Sequence, residues 1–115
     1  MSEALVLPSE IGPGKEREVQ TLFSDPWRKL VLIRLRDTAL LADHVARVPI
    51  TIQALLGKGL LNVAGETYLL TPGTIVPVDA HVAHHVRADP ALAILVTFFR
   101  QPETEAGNET TARFE

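Results

Sequence analysis

The chain has 115 residues, enough for one hydrophobic core and too few for two. Eleven basic and fourteen acidic residues interleave without a basic run, which excludes the charge footprint of a nucleic-acid binder. The absence of cysteine excludes disulfides, thiolate metal sites and thiol nucleophiles, leaving histidine and carboxylate as transition-metal ligands. That absence also suits a reducing compartment, and the first residues lack a basic n-region followed by a long apolar stretch. No apolar run approaches the ~20 residues that span a bilayer. The expectation is a cytoplasmic protein with no membrane or nucleic-acid partner.

Residues 1–17 carry Pro8, Gly12, Pro13 and Gly14 and read as an irregular lead-in, with Leu5–Leu7 as a short edge strand. Glu18–Phe23 alternates loosely as a strand, and Ser24-Asp25-Pro26 is a turn signal because proline drives the preceding residue out of the helical region. Leu30–Arg36 has a clear period of two, with Val31, Ile33 and Leu35 on one face and Arg34 and Arg36 on a solvated one. Thr38–Val48 is rich in Ala and Leu but reads as extended, since Pro49 and the flanking strands leave no room for a helix. Pro49–Leu56, Gly59–Val63, Glu66–Leu70, Thr74–Val78, Val82–Ala88 and Ala91–Phe99 follow as short strands, with Ala64-Gly65 as a tight hairpin turn. Eight or nine short strands spaced by turns about ten residues apart predict an all-β antiparallel sandwich or barrel over residues 18–100. From Gln101 the chain turns polar, so residues 101–115 read as a tail.

Ala91–Phe99 is apolar at every position but Thr97, so both of its faces need cover. In a chain this short, a second copy is the economical cover, and a homodimer is expected.

Two of these strand segments carry histidine. The first runs Ala-Asp-His44-Val-Ala-Arg-Val-Pro-Ile-Thr-Ile-Gln53 and on to Gly57; the second runs from Gly73 through His81, His84 and His85 to Arg87. The pattern resembles the small single-domain cupins, a double-stranded β-helix or jelly-roll family, over roughly residues 18–99. The family's first motif is a glycine, five residues, His-x-His, a short gap, glutamate, six residues and glycine. Anchored on Gly57, it puts its first histidine at His44, its second at Ala46, its glutamate at Ile50 and its leading glycine at Thr38. One ligand of three survives. The second motif matches Gly73–Val86 with its ligand at His84, and His81 stands near the usual turn glycine.

The resemblance implies a barrel of antiparallel strands with an interior site. It selects no activity, because the fold carries oxygenases, isomerases, binding regulators and storage proteins. His44 reads either as a metal ligand at the barrel mouth or as a surface imidazole paired with Asp43. His84 reads as a ligand or as a core imidazole bonded to a backbone carbonyl. Inward His84 puts His85 outward. His81 joins them only if a bend at Asp79-Ala80 turns it inward. Gln53 is an oxygen donor whose parity is opposite to Ile50 and Ile52 unless a bulge intervenes. The expected function is a small binding protein holding a small ligand through His44, His84 and Gln53, with or without one divalent metal (Zn, Ni, Mn or Fe) on His44, His84 and His81. The alternatives are a metal-dependent oxygenase or isomerase acting on a small polar substrate, and a structural or regulatory dimer whose histidines bind nothing. No Ser/His/Asp order, phosphate loop or carboxylate pair assigns a reaction.

Overall fold

A computed structural model of the protein describes residues 3–101. These form seven antiparallel strands and no helix: β1 (Arg17–Ser24), β2 (Arg28–Leu35), β3 (Leu40–His44), β4 (Ile50–Val63), β5 (Glu66–Leu70), β6 (Ile75–Val78) and β7 (His84–Phe99). Among the described residues, no helix is long and apolar enough to cross a membrane. The polar stretch from residue 102 lies outside the described residues.

Seven strands replace the expected eight or nine because two pairs of predicted strands fuse. Pro49–Leu56 and Gly59–Val63 become the single β4, and Val82–Ala88 and Ala91–Phe99 become the single β7. Each long strand bends once and so serves in two walls. The second half of β7 pairs with β2 and with the first half of β4, which also pairs with β6; β1 pairs with β2. The first half of β7 pairs with β3 and with the second half of β4, which pairs with β5. Inner residues of both walls, among them Ile33, Ile52, Leu61, Val86, Ile94 and Phe98, belong to one buried cluster. The two walls therefore face each other over one core.

The corner where both long strands bend is built from glycine. The ladder steps from Gly57↔Leu92 to Gly59↔Ala88, leaving residues 89–91 without a partner on β4. Gly57 has φ +78°, and a Cβ there would collide with the Ala91 carbonyl; at Gly59 it would stand 2.5 Å from the Arg87 carbonyl oxygen. Backbone passes too close at both positions for any side chain.

Arg36 corrects the expected solvated arginine face. It lies beyond the end of β2, is buried, and its guanidinium donates to the carbonyls of Ile11 (3.0 Å), Gly12 (2.8 Å) and Lys15 (2.7 Å) and to the Glu18 carboxylate (2.6 Å). The bond from Arg36 holds the Glu18 carboxyl below its usual range. The lead-in is thereby tied along the outside of the barrel, where Glu3 and Leu5 border a cleft of about 190 Å³ with Phe23, Arg28 and Leu30. Leu5–Leu7 forms no strand. Outer-face residues Leu32 and Ala93 are buried within the chain itself, so part of the cover expected from a second copy is supplied internally.

Candidate functional site

The direction of the strands defines an open end opposite the corner. β2 runs toward the corner and ends at Leu35, opposite Leu92; β3 starts beside the corner, with Leu40 opposite Arg87, and runs away from it. Two connections cross the open end, residues 45–49 between β3 and β4 and residues 79–83 between β6 and β7. They are tied together by the His81 amide, which donates to the Ala46 carbonyl at 2.7 Å. Ala46 and Val48 are buried beneath this rim.

His44 and His84 meet at the open end. They are directly opposed in the β3–β7 ladder, with ring centres 6.4 Å apart and planes inclined at 35°. A β-bulge makes this possible. Leu41 faces the core opposite Val86, so plain alternation would turn His44 outward; one extra residue between Leu41 and His44 turns it back in. His84 is 1% exposed and His44 half-buried, and both Nδ1 of His44 and Nε2 of His84 are shielded from solvent.

The environment of His84 sets its chemistry. Its Nδ1 lies 3.1 Å from the Val82 carbonyl, which can only accept, so Nδ1 carries the proton in the neutral ring and Nε2 carries the lone pair. Burial pushes the His84 pKa down, and the bond to Val82 and the Asp43 carboxylate oppose that only in part. A neutral imidazole anchored through Nδ1–H presents Nε2 as an acceptor or a metal ligand.

The other expected site residues lie elsewhere. Gln53 faces outward: no bulge interrupts β4 between Ile50 and Ala54, so its parity stays opposite to Ile50 and Ile52, both buried. It pairs with Leu95 and Ile75 on the outer face and does not join the histidines. His81 is exposed on the rim with φ +69°, and Asp79-Ala80 does not swing it inward. His85 points outward, as alternation from His84 requires, and bonds Asp43 at 2.8 Å. This pair borders an outer cleft of about 280 Å³ with Leu40, Ala42 and Arg87, to which neither His44 nor His84 contributes.

This arrangement does not complete a metal shell. A transition metal ordinarily takes three protein ligands, and no group of three His, Cys, Asp or Glu side chains gathers among the described residues. Two imidazoles on one tetrahedral ion would also bring their ring centres to about 5 Å, closer than the 6.4 Å found here.

Three polar residues not singled out in the sequence belong to this end. Glu66 on β5 stands opposite Val63, which stands opposite His84, so Glu66, Val63, His84 and His44 form one row on the inner side. Tyr68, two residues on, donates to Glu66 at 2.8 Å, and this bond raises the Tyr68 pKa. Lys29, at the far end of β2, is 6% exposed and faces inward opposite Phe98. Strand parity was the signal for all three: Lys29 is in step with Val31 and Ile33, and Glu66 and Tyr68 with the hairpin register across Ala64-Gly65.

No protein-family model matches the sequence, and no curated protein does. Solved structures match in fold. An RmlC-like cupin from Shewanella frigidimarina superposes with a TM-score of 0.72 at 24% identity, over 89% of this chain and 95% of that one. A cupin superfamily protein from Desulfitobacterium hafniense gives 0.72 at 13% identity, over 78% and 83%. A salicylate 1,2-dioxygenase from Pseudoaminobacter salicylatoxidans gives 0.69 at 19% identity, with 80% of this chain covering 27% of the enzyme. Identities this low carry the fold and nothing finer. Seven antiparallel strands, two of them shared between facing walls around an inward histidine pair, make this chain a small protein of the cupin fold.

Proposed function

We propose that this protein is a cupin-type binding module that holds a small molecule at the open end of its barrel through His44 and His84. The observation that carries the reading is the pair itself: two imidazoles set opposite each other by a bulge, one of them buried with its Nδ1 anchored on Val82 and its Nε2 carrying the lone pair. A histidine serving only as packing needs neither a bulge to turn its neighbour inward nor a matched imidazole across the ladder. Where the family motif carries a second histidine and a glutamate, this chain has Ala46 and Ile50, both buried and apolar. Those substitutions favour recognition of an organic ligand over metal-centred chemistry. The module works as a pair of copies, with the exposed Leu5, Val6 and Leu7 of the lead-in at the contact.

The test is elemental analysis of untagged protein prepared without chelator, beside His44→Ala and His84→Ala variants, followed by incubation with Zn, Ni, Mn and Fe. The reading expects no stoichiometric metal in any sample. Near-stoichiometric metal that is lost in both variants would replace it with a metallated site.

A further inference from the structure

The outer face of the wall formed by β3, β7, β4 and β5 carries two rows of side chains, sorted by the ladder. In one, His85 stands opposite Asn62 and Asn62 opposite Thr67, with Asp43 closing the row on β3. The next row toward the corner is Leu40, Arg87, Leu60 and Leu69, apolar but for its one guanidinium. Two clefts flank β7 here and share His85 and Arg87. One, of about 280 Å³, opens toward Asp43 and Leu40, and the other, of about 100 Å³, toward Asn62 and Leu60.

The polar row is tied at both ends. The Asp43 carboxylate accepts from His85 at 2.8 Å, so Nδ1 of His85 carries the proton of the neutral ring and Nε2 the lone pair, which no described residue engages. The Asn62 amide donates to the Thr67 hydroxyl at 3.2 Å and accepts from the Gly65 amide at 3.1 Å. Arg87 is the contrast. Among the described residues its guanidinium makes one hydrogen bond, to the Thr38 carbonyl at 3.5 Å, and enters no ion pair. A bond that long is weak. A planar, fork-shaped donor is thus left between Leu40 and Leu60 with nearly all of its N–H groups open to a ligand.

We infer that this outer face is a second binding site, separate from His44 and His84, for a small monocarboxylate with an apolar body and a hydroxyl group. Its carboxylate sits on Arg87, its hydroxyl donates to Nε2 of His85, and its body lies on the leucine row. Residues two apart on a strand are about 6.6 Å from each other, so the two polar groups of the ligand stand about one ring apart. Volume limits the size: small-molecule sites run from roughly 300 Å³ upward, and the larger cleft falls just below that. Charge limits the class. Arg87 is the one lasting cation that lines either cleft among the described residues, whereas a phosphate dianion would call for several convergent N–H donors. A second negative charge on the ligand would also face the Asp43 carboxylate.

The experiment crosses the two features on the full chain: 4-hydroxybenzoate, benzoate, 4-hydroxybenzamide and benzamide, read by calorimetry and by NMR of the Arg87 side-chain Nε–H. The expected result is that each acid binds at least about tenfold more tightly than its amide, and that the hydroxyl adds about fivefold. Arg87→Gln removes the acid preference and keeps the hydroxyl increment, and His85→Phe does the reverse. Arg87→Met and His85→Leu serve if either variant does not fold. His84→Ala changes neither preference, and the Arg87 Nε–H resonance moves with the acids and stays still with the amides. The site is overturned if acids and amides bind alike, if Arg87→Gln keeps the acid preference, or if nothing in the panel binds at millimolar concentration. An acid preference lost in Arg87→Gln but without any hydroxyl increment overturns the role of His85. Binding lost in His84→Ala and unchanged in Arg87→Gln overturns the outer site as well, and leaves the interior-binding reading standing.

Discussion

His44 stands opposite His84 only because β3 carries one residue more than its partner between Leu41 and His44. The extra residue leaves Ala42 and Asp43 both on the exposed side, where Asp43 meets His85 at 2.8 Å. One bulge thus sorts two histidine–partner pairs, His44 with His84 inside and Asp43 with His85 outside.

That sorting predicts unequal costs. His85→Ala and Asp43→Asn remove an exposed pair worth at most about 1 kcal/mol, and the melting temperature is expected to stay within a few degrees of the parent. His84→Ala opens space in the core and is expected to cost about 1–3 kcal/mol. Differential scanning calorimetry of the three variants checks the order, and equal losses for His84→Ala and His85→Ala would contradict it.

The pH dependence follows from the lowered pKa of His84. In the unfolded chain the ring titrates near the ordinary imidazole value of about 6.5, and in the fold burial holds it below that. Above the unfolded value the group is neutral in both states, and its contribution to stability is fully present. As pH falls through the unfolded value toward the folded one, the unfolded state takes up the proton first, so stability declines over that interval. Urea midpoints measured from pH 7.5 to pH 5 are expected to fall, and to fall less in His84→Gln. A midpoint that rises on acidification would refute the assignment.

Arg36→Ala removes the donor shared by three lead-in carbonyls and Glu18. The expected loss is about 2–3 kcal/mol, the scale of charge-assisted bonds left without their donor. Limited trypsin digestion supplies an independent check, because cleavage after Lys15 is expected to accelerate relative to cleavage at the strand arginines.

Gly59→Ala puts a Cβ 2.5 Å from the Arg87 carbonyl oxygen and 2.8 Å from a Leu92 methyl. Backbone cannot yield there without opening the corner, so a loss of about 2–4 kcal/mol is expected, with a melting temperature lower by roughly 10 °C or more. Gly65→Ala, with nothing within 4 Å of the added atom, has only its φ of +90° to contend with and is expected to cost less.

Sedimentation equilibrium tests the pairing of copies. The parent chain is expected at twice its 12.6 kDa mass, and Val6→Glu, at a position 89% exposed, is expected to shift it toward the single mass without lowering the urea midpoint. A parent that sediments at the single mass would remove the pairing.

The strand pattern and the barrel class were legible because alternation along Leu30–Leu35 and the turn glycines are local signals. What could not be read was where strands continue through a bend. Gly57, Gly59 and Pro90 look like ordinary strand breakers, yet here they mark corners within β4 and β7, because a partner strand holds the backbone extended on both sides. The site was half legible for the same reason. His84 sits in step with Val86 and needs parity alone, whereas the inward turn of His44 depends on a bulge fixed by its partner across the ladder. Arg36 looked like the next member of a solvated face. It lies one residue past the strand, where parity no longer governs and the carbonyls of a distant lead-in are within reach.

The sharing of β4 and β7 between both walls has a mechanical meaning. The walls form a clip with a single spine, and any spreading at the histidine end must be absorbed where the Gly57 and Gly59 backbones press against the Ala91 and Arg87 carbonyls. A spine that close-packed resists flexing. Any movement at the open end therefore falls to the two crossing rim segments, which the His81 amide and the Ala46 carbonyl tie together.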